Sequence, residues 1–314
     1  MAYMAGMIDA EGCVGIARDT YRKTPAYRLQ LSVAGTDEAL SDWLCETFGG
    51  FVCKVKRYSD RHVAGFQWYL TGKAAAELLR DLNPYLVIKQ PQVDVACDLI
   101  DHWVQLPVTG EKKANELARR HRCYEAMAEL NRKGGQYAVN VTPTRGKLTP
   151  SQHDLDYLAG VVDGDGSIII GKSHKRRANG SIFPKHELKL VITNTSDVLI
   201  RWLSSRFGGH FVIAQRNSRW KSKIDWKLNG ASAAKLLELI GPSLLIKGDQ
   251  SRVAVEFIDN MQRLTRGSSR ADVESELDRR EALYQTMRRL NQRGDAAATT
   301  KHQAPTALSG EAIV

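Results

Sequence analysis

Tyr3-Met-Ala-Gly-Met-Ile-Asp-Ala-Glu-Gly12 and Tyr157-Leu-Ala-Gly-Val-Val-Asp-Gly-Asp-Gly166 are one ten-residue pattern written twice. Both keep a tyrosine, an Ala-Gly step, an aliphatic pair, an aspartate, and a second acid directly before a closing glycine. The correspondence extends along the chain. Asp42-Trp-Leu44 returns as Arg201-Trp-Leu203, Phe48-Gly-Gly50 as Phe207-Gly-Gly209, and Trp68-Tyr-Leu-Thr-Gly72 as Trp226-Lys-Leu-Asn-Gly230. Pro84-Tyr-Leu-Val-Ile-Lys89 returns as Pro242-Ser-Leu-Leu-Ile-Lys247, and Leu130-Asn-Arg-Lys-Gly134 as Leu290-Asn-Gln-Arg-Gly294. The offset stays between 154 and 160, a spread that small loop insertions account for. Colinear matches of this density do not arise by chance, so the chain is two copies of one domain.

The copies run over residues 1–134 and 151–294. Residues 135–150 carry Gly, Pro and Thr without apolar periodicity and read as a linker. Residues 295–314, rich in Ala and Thr, read as a disordered tail. Within each copy the pattern predicts helix, two strands, helix, two strands and two helices. Arg28-Leu-Gln-Leu-Ser-Val33 alternates apolar and polar positions as a half-buried strand does. Thr36 is placed to cap the helix bearing Leu40, Trp43 and Leu44. Residues 74–82 form a short helix, and Pro91 opens another whose apolar positions Val93, Ala96, Cys97, Ile100 and Val104 lie three or four apart. The class is α+β, each copy being an antiparallel sheet with helices on one face and a polar, basic opposite face.

Composition narrows the function classes. Of 314 residues, 43% are apolar and 25% charged, as in a globular protein large enough for two cores. No apolar run is long enough for a membrane helix, and the start lacks the layout of a signal peptide. Five cysteines, all in the first half and none in a C-x-x-C pair, indicate neither a disulfide framework nor a zinc site. The reading is a reduced intracellular protein. The net charge of +10 points to a polyanionic partner, since Lys and Arg displace counterions from phosphates.

The motif segments carry small residues at helical spacing, Gly6 and Ala10 in one and Gly160 and Gly164 in the other. Such residues let two helix backbones approach closely. Packing through these stripes would bring Glu11 and Asp165 together at the helices' C-terminal ends. Acids there oppose the macrodipole and each other, and a hard cation such as Mg²⁺ offsets both penalties. Asp9 and Asp163 lie on a different helix face and are assigned structural roles.

The two motifs resemble the LAGLIDADG signature, the second very closely, and the resemblance covers nearly the whole chain. It implies a single-chain, two-motif homing endonuclease of the group I intron type. Its two pseudo-symmetric αββαββα domains would form a DNA-binding saddle from their antiparallel sheets. The resemblance makes Glu11 and Asp165 metal ligands, with the carbonyls of Ala10 and Gly164 beside them. The cofactor is then Mg²⁺, with Ca²⁺ or Mn²⁺ able to occupy the same site. It places Lys89 and Lys247 near the scissile phosphates, and Asp37 and Ser196 at the position of a water-positioning residue. The first motif starts closer to the chain's beginning than is usual in the family, which points to a native start upstream.

Base reading would fall to the polar strand face. In the first copy this is Arg28, Gln30, Ser32, Gln67 and Tyr69, joined by Lys54 and Lys56, whose facing the alternation leaves open. The counterparts are Glu187, Lys189, Val191, Asp225 and Lys227. The two sets differ at every position, so the expected target is a long, non-palindromic duplex bound by a monomer. The competing reading is an RNA-binding maturase acting on its host intron; a purely binding protein would be expected to lose the acids. The expected location is the bacterial cytoplasm or an organelle matrix, without membrane association.

Overall fold

The computed structural model describes residues 1–21, 23–55, 65–105, 109–132, 149–176, 182–214, 223–261 and 269–292. The linker expected at 135–150 lies almost wholly outside the described residues, and the tail at 295–314 and Lys56 lie outside them. The first half runs α1 (Ala2–Glu11), β1 (Gly12–Asp19), β2 (Ala26–Gly35), α2 (Glu38–Phe48), β3 (Phe51–Val55), β4 (Gly65–Thr71), α3 (Gly72–Leu82), α4 (Gln90–Asp101) and α5 (Glu111–Asn131). The second repeats it as α6 (Gln152–Asp165), β5 (Gly166–Arg176), β6 (Ile182–Asn194), α7 (Asp197–Phe207), β7 (His210–Ala214), β8 (Lys223–Asn229), α8 (Gly230–Ile240), α9 (Gly248–Asp259) and α10 (Arg270–Leu290). Each sheet is antiparallel, in the order β1-β2-β4-β3 and β5-β6-β8-β7. No helix among the described residues is long and apolar enough to cross a membrane.

Each repeated segment makes one specific contact. The Phe-Gly-Gly steps end α2 and α7, with Gly49, Gly50, Gly208 and Gly209 at φ of 73°, 89°, 69° and 87°. A Cβ on Gly50 would lie 2.2 Å from the Tyr69 carbonyl oxygen. The Gly49 and Gly208 carbonyls accept from the indole N–H of buried Trp68 and Trp226 at 2.8 Å each. The Leu-Asn matches close the long helices onto the sheets. The Asn131 and Asn291 side-chain amides donate to the carbonyls of Val14 and Ile168 at 2.7 and 2.8 Å.

The sequence pattern missed α5 and α10, each 21 residues long. The buried positions of α5 are Glu116, Arg120, Cys123 and Met127, so half of its inward stripe is charged. Glu116 pairs with Arg119 and Arg120, and Glu276 likewise with Arg279 and Arg280. Arg119 also reaches carbonyls at the end of α4, those of Asp98, Leu99 and His102. A buried carboxylate satisfied by two guanidiniums is tolerated inside, yet gives no apolar period to read. Thr36 also yields its expected role. The N-cap of α2 is Asp37, whose carboxylate accepts from the Leu40 amide at 3.1 Å.

The halves join through α1 and α6. A Cβ on Gly6 would sit 2.0 Å from the Tyr157 carbonyl oxygen, and one on Gly160 would sit 2.0 Å from that of Tyr3. Backbone therefore lies directly on backbone, as the small-residue stripes predict. The tyrosines lock the pair reciprocally. Tyr3 donates its hydroxyl to Asp163 at 2.9 Å, and Tyr157 donates to Asp9 at 2.8 Å. Burial raises both phenols well above their ordinary range, so the hydroxyls remain protonated donors. Tyr3→Phe and Tyr157→Phe should each cost about 1.5–3 kcal/mol, because a buried carboxylate loses a hydrogen bond. Urea unfolding would measure this, and unchanged midpoints would mean that the rings only fill space.

Candidate functional site

Glu11 and Asp165 are the last residues of α1 and α6, and each is followed by a glycine that starts a strand at once. That immediate turn requires glycine, since a Cβ on Gly12 would lie 2.7 Å from Ile8 backbone and one on Gly166 equally close to Val162. Close packing continues to the tip, where a Cβ on Gly164 would meet the Ala10 Cβ at 2.6 Å and the Glu11 Cγ at 3.2 Å. The two acids therefore converge between the sheets. Glu11 is exposed, whereas Asp165 is half-buried. Burial, opposed by a hydrogen bond from Asn194 and reinforced by the Glu11 charge, pushes the Asp165 carboxyl up to about 6.

Asp9 and Asp163 have the structural roles assigned to them. Asp9 accepts from the amides of Val87, Ile88 and Lys89 at 2.7, 3.0 and 3.0 Å. Asp163 does the same for Leu245, Ile246 and Lys247 at 2.7, 3.1 and 2.9 Å. Each aspartate thus pins the loop that delivers its lysine, which accounts for the repeated Leu-x-Ile-Lys segments. The Lys89 ammonium donates to the carbonyls of Ile8 and Asp9 at 2.6 and 2.7 Å. The Lys247 ammonium donates to those of Val162 and Asp163 at 2.7 and 2.6 Å, and reaches Gly164 at 3.5 Å. Both lysines neutralise the negative end of a motif helix, where their charge also favours ionised Asp165. Burial lowers the Lys89 amine below its usual range, against the opposing pull of Asp9, Asp165 and Glu11.

The two residues expected to position a water have local partners. Asp37 is occupied as the cap of α2, and Ser196 is buried with its amide bonded to Asn194. The polar side chain at the acids is Asn194, the last residue of β6, whose amide donates to Asp165 at 2.7 Å. The repeat contained the signal, because aligning Val33-Ala-Gly35 with Ile192-Thr-Asn194 puts Asn194 at the strand end nearest the acid. Its counterpart is Gly35, so no equivalent side chain serves Glu11.

On the first sheet, strand register puts Arg28, Gln30, Ser32, Gln67 and Tyr69 on one face, opposite that of Leu29, Leu31 and Trp68. Arg28 is exposed, Gln30, Gln67 and Tyr69 are half-buried, and Ser32 is buried, within 3.4 Å of the Gln67 amide. The register settles the facing of Lys54, which the alternation left open. It pairs with Phe66, on the face opposite Gln67, and its ammonium lies 5.9 Å from the Phe66 ring. In the second half Glu187, Lys189, Val191, Asp225 and Lys227 share one face. Glu187 lies between Lys185 and Lys189 at 3.6 and 3.5 Å, and Asp225 pairs with Lys227 at 3.1 Å.

Among the described residues no cluster of three His, Cys, Asp or Glu side chains forms a protein-only metal cage. The oxygens that could serve as a donor set are the two carboxylates and the carbonyls of Ala10 and Gly164. Such a set fits a hard divalent cation that takes its remaining oxygens from water or phosphate. Burial, with the Glu11 charge adding to it, disfavours the ionised Asp165 carboxyl, a penalty that such a cation would relieve.

No family model and no curated protein matches the chain. Solved structures do match its fold. The I-LtrWI LAGLIDADG homing endonuclease bound to target DNA superposes with a TM-score of 0.62 at 16% identity, over 91% of this chain and 96% of that one. I-SmaMI bound to uncleaved DNA target in the presence of calcium ions gives 0.58 at 19% identity, over 91% and 98%. The LAGLIDADG meganuclease I-AabMI bound to uncleaved DNA gives 0.61 at 15%, over 90% and 97%. The chain has the two-domain LAGLIDADG homing endonuclease fold.

Proposed function

We propose that this protein is a site-specific DNA endonuclease of the homing type, making a double-strand break in a long, non-palindromic duplex. The observation that carries the reading is the convergence of Glu11 and Asp165 at the tips of two packed helices, flanked by two unlike sheet faces. Proteins sharing the fold are homing endonucleases bound to their DNA targets. In this reading the acids and the carbonyls of Ala10 and Gly164 hold divalent cations, Mg²⁺ in the working enzyme. Bound there, such ions supply an activated water and stabilise the leaving oxygen. Asn194 fixes the orientation of the Asp165 carboxylate, while Lys89 and Lys247 hold the carbonyl ends of the helices rigid and add positive charge toward the phosphates. The chain acts as a monomer because both halves of the site lie in one polypeptide, and its native context would be the spread of an intron.

Incubation with a randomised duplex library in Mg²⁺, followed by sequencing of cut ends, tests the proposal. One asymmetric site with a staggered break is expected. Absence of cutting, or a symmetric site, would contradict it.

Cation affinity should depend on pH in a defined direction. A cation binds the carboxylate, so protons compete below the Asp165 value of about 6 and cease to compete above it. Calorimetric titration with Ca²⁺ should show affinity falling by up to about tenfold per pH unit below that value. Proton uptake or release that stays constant from pH 5 to 7 would place the cation elsewhere.

A further inference from the structure

The two sheet faces differ in more than sequence. Among the described strand residues, the outer face of the first half carries only two charges, Arg28 and Asp19. Its outer strand is instead apolar and open, with Phe51 52% and Val55 40% exposed. Phe51 stacks on Tyr69 with centroids 5.4 Å apart and planes 23° from parallel, making one rigid aromatic shelf. The second half also opens Val212 and Ile169 on this face, 47% and 38% exposed, but has no aromatic pair there among the described strand residues and sets them among lysines interleaved with acids, paired through Glu187 and Asp225. A shelf of large apolar groups held open to water is costly unless something covers it.

We propose that the first half reads thymine methyl groups with the Phe51–Tyr69 shelf and Val55, so that its half-site is rich in A·T pairs. The second half then reads polar base edges. This rests on the endonuclease reading, which makes duplex DNA the occupant of both faces. In the major groove the thymine C5 methyl is the apolar feature that an aromatic or aliphatic side chain can recognise, whereas lysine suits guanine acceptors and carboxylates suit the cytosine amino group. Among the described strand residues, the near absence of charge beside the shelf favours the methyl over guanine acceptors. The paired lysines and acids of the second half arrive already oriented for donors and acceptors.

The test needs binding alone. Duplexes bound by the full chain in Ca²⁺ are selected from a randomised library, and thymine is then replaced by uracil one half-site at a time. Uracil keeps every hydrogen-bonding group and removes only the methyl. Each methyl removed under the first half should weaken binding about threefold to fivefold, the effect of one buried methyl-sized group. Replacements under the second half, where the apolar groups are smaller and set among charges, should weaken it less. Selections with Phe51→Ala and Phe51→Leu identify the half-site: alanine should lose its thymine preference and leucine should keep much of it. Because Phe51 is exposed, both variants should melt with the wild type. If a specific duplex is selected but uracil has no effect, or acts equally in both halves, the methyl reading is wrong and the endonuclease reading stands. An unchanged selection with Phe51→Ala would give the shelf to a different partner. If no specific duplex is selected, both readings fall together.

Discussion

Converting Glu11 to Gln and Asp165 to Asn together should abolish double-strand cleavage, lowering its rate by a factor of at least about 10³, since metal-borne charge stabilisation contributes several kcal/mol. Binding of the selected duplex in the absence of divalent ions should persist, because the sheet faces are untouched. Stability should move the opposite way. Burial and the Glu11 charge hold the Asp165 carboxyl at about 6, so its ionised form is disfavoured in the folded state relative to the unfolded chain. The acid therefore costs stability increasingly as pH rises from its free value of 3.8 to about 6 and fully above that, and its neutral amide isostere removes the cost. Thermal melting at pH 7.5 should therefore show Asp165→Asn more stable than wild type. At pH 5, where the carboxyl is already largely protonated, the difference should shrink. A residue kept only for structure would lose stability on replacement, so the opposed signs separate a functional acid from a structural one. Retained cleavage in the double variant would remove the acids from the mechanism.

The second large effect concerns the seam between the halves. Gly160→Ala should destabilise the protein by roughly 3 kcal/mol or more, at the upper end of the overpacking range, because the added methyl meets a backbone carbonyl that cannot swing aside. Its Cβ would lie 2.0 Å from the Tyr3 oxygen and 2.7 Å from the Met7 nitrogen. Gly6→Ala meets the mirror-image obstruction at Tyr157. Pushing the helices apart also separates Glu11 from Asp165, so cleavage should fall with stability. Gly15→Ala is the control, since a Cβ there meets nothing within 4 Å. Denaturant unfolding should show Gly15→Ala within about 1 kcal/mol of wild type. Equal midpoints for Gly160→Ala and Gly15→Ala would mean that the helices do not cross as closely as described.

The pseudo-symmetric architecture could be read from sequence because each repeated segment makes a contact that few other residues could make. The Phe-Gly-Gly steps combine positive φ with a carbonyl for an indole, the aspartates collect three amides each, and the terminal asparagines fasten helix to strand. The motif acids could be read for the same reason, being bound to a helix seam that only small residues permit. What escaped reading lacked such a signature. The inward face of α5 is a glutamate–arginine pair in its first half and Cys123 and Met127 in its second, so apolar periodicity fails where burial is satisfied by charge. Asn194 was missed because its role depends on where β6 ends relative to Asp165, a matter of register rather than composition. The facing of Lys54 stays open in the sequence because basic strand residues look alike from either face, and only its pairing with Phe66 decides the side.

That same register leaves the two acids unequal, since Asn194 holds Asp165 while Gly35 offers Glu11 nothing. The central claim is nevertheless shared by both acids: together they hold divalent cations against the phosphates to be cut. The most direct measurement is anomalous diffraction from a crystal of the protein with its selected duplex and Mn²⁺. The account predicts manganese peaks in contact with the carboxylates of Glu11 and Asp165 and with phosphate oxygens of the duplex. A well-ordered complex with no manganese at those two carboxylates would contradict it.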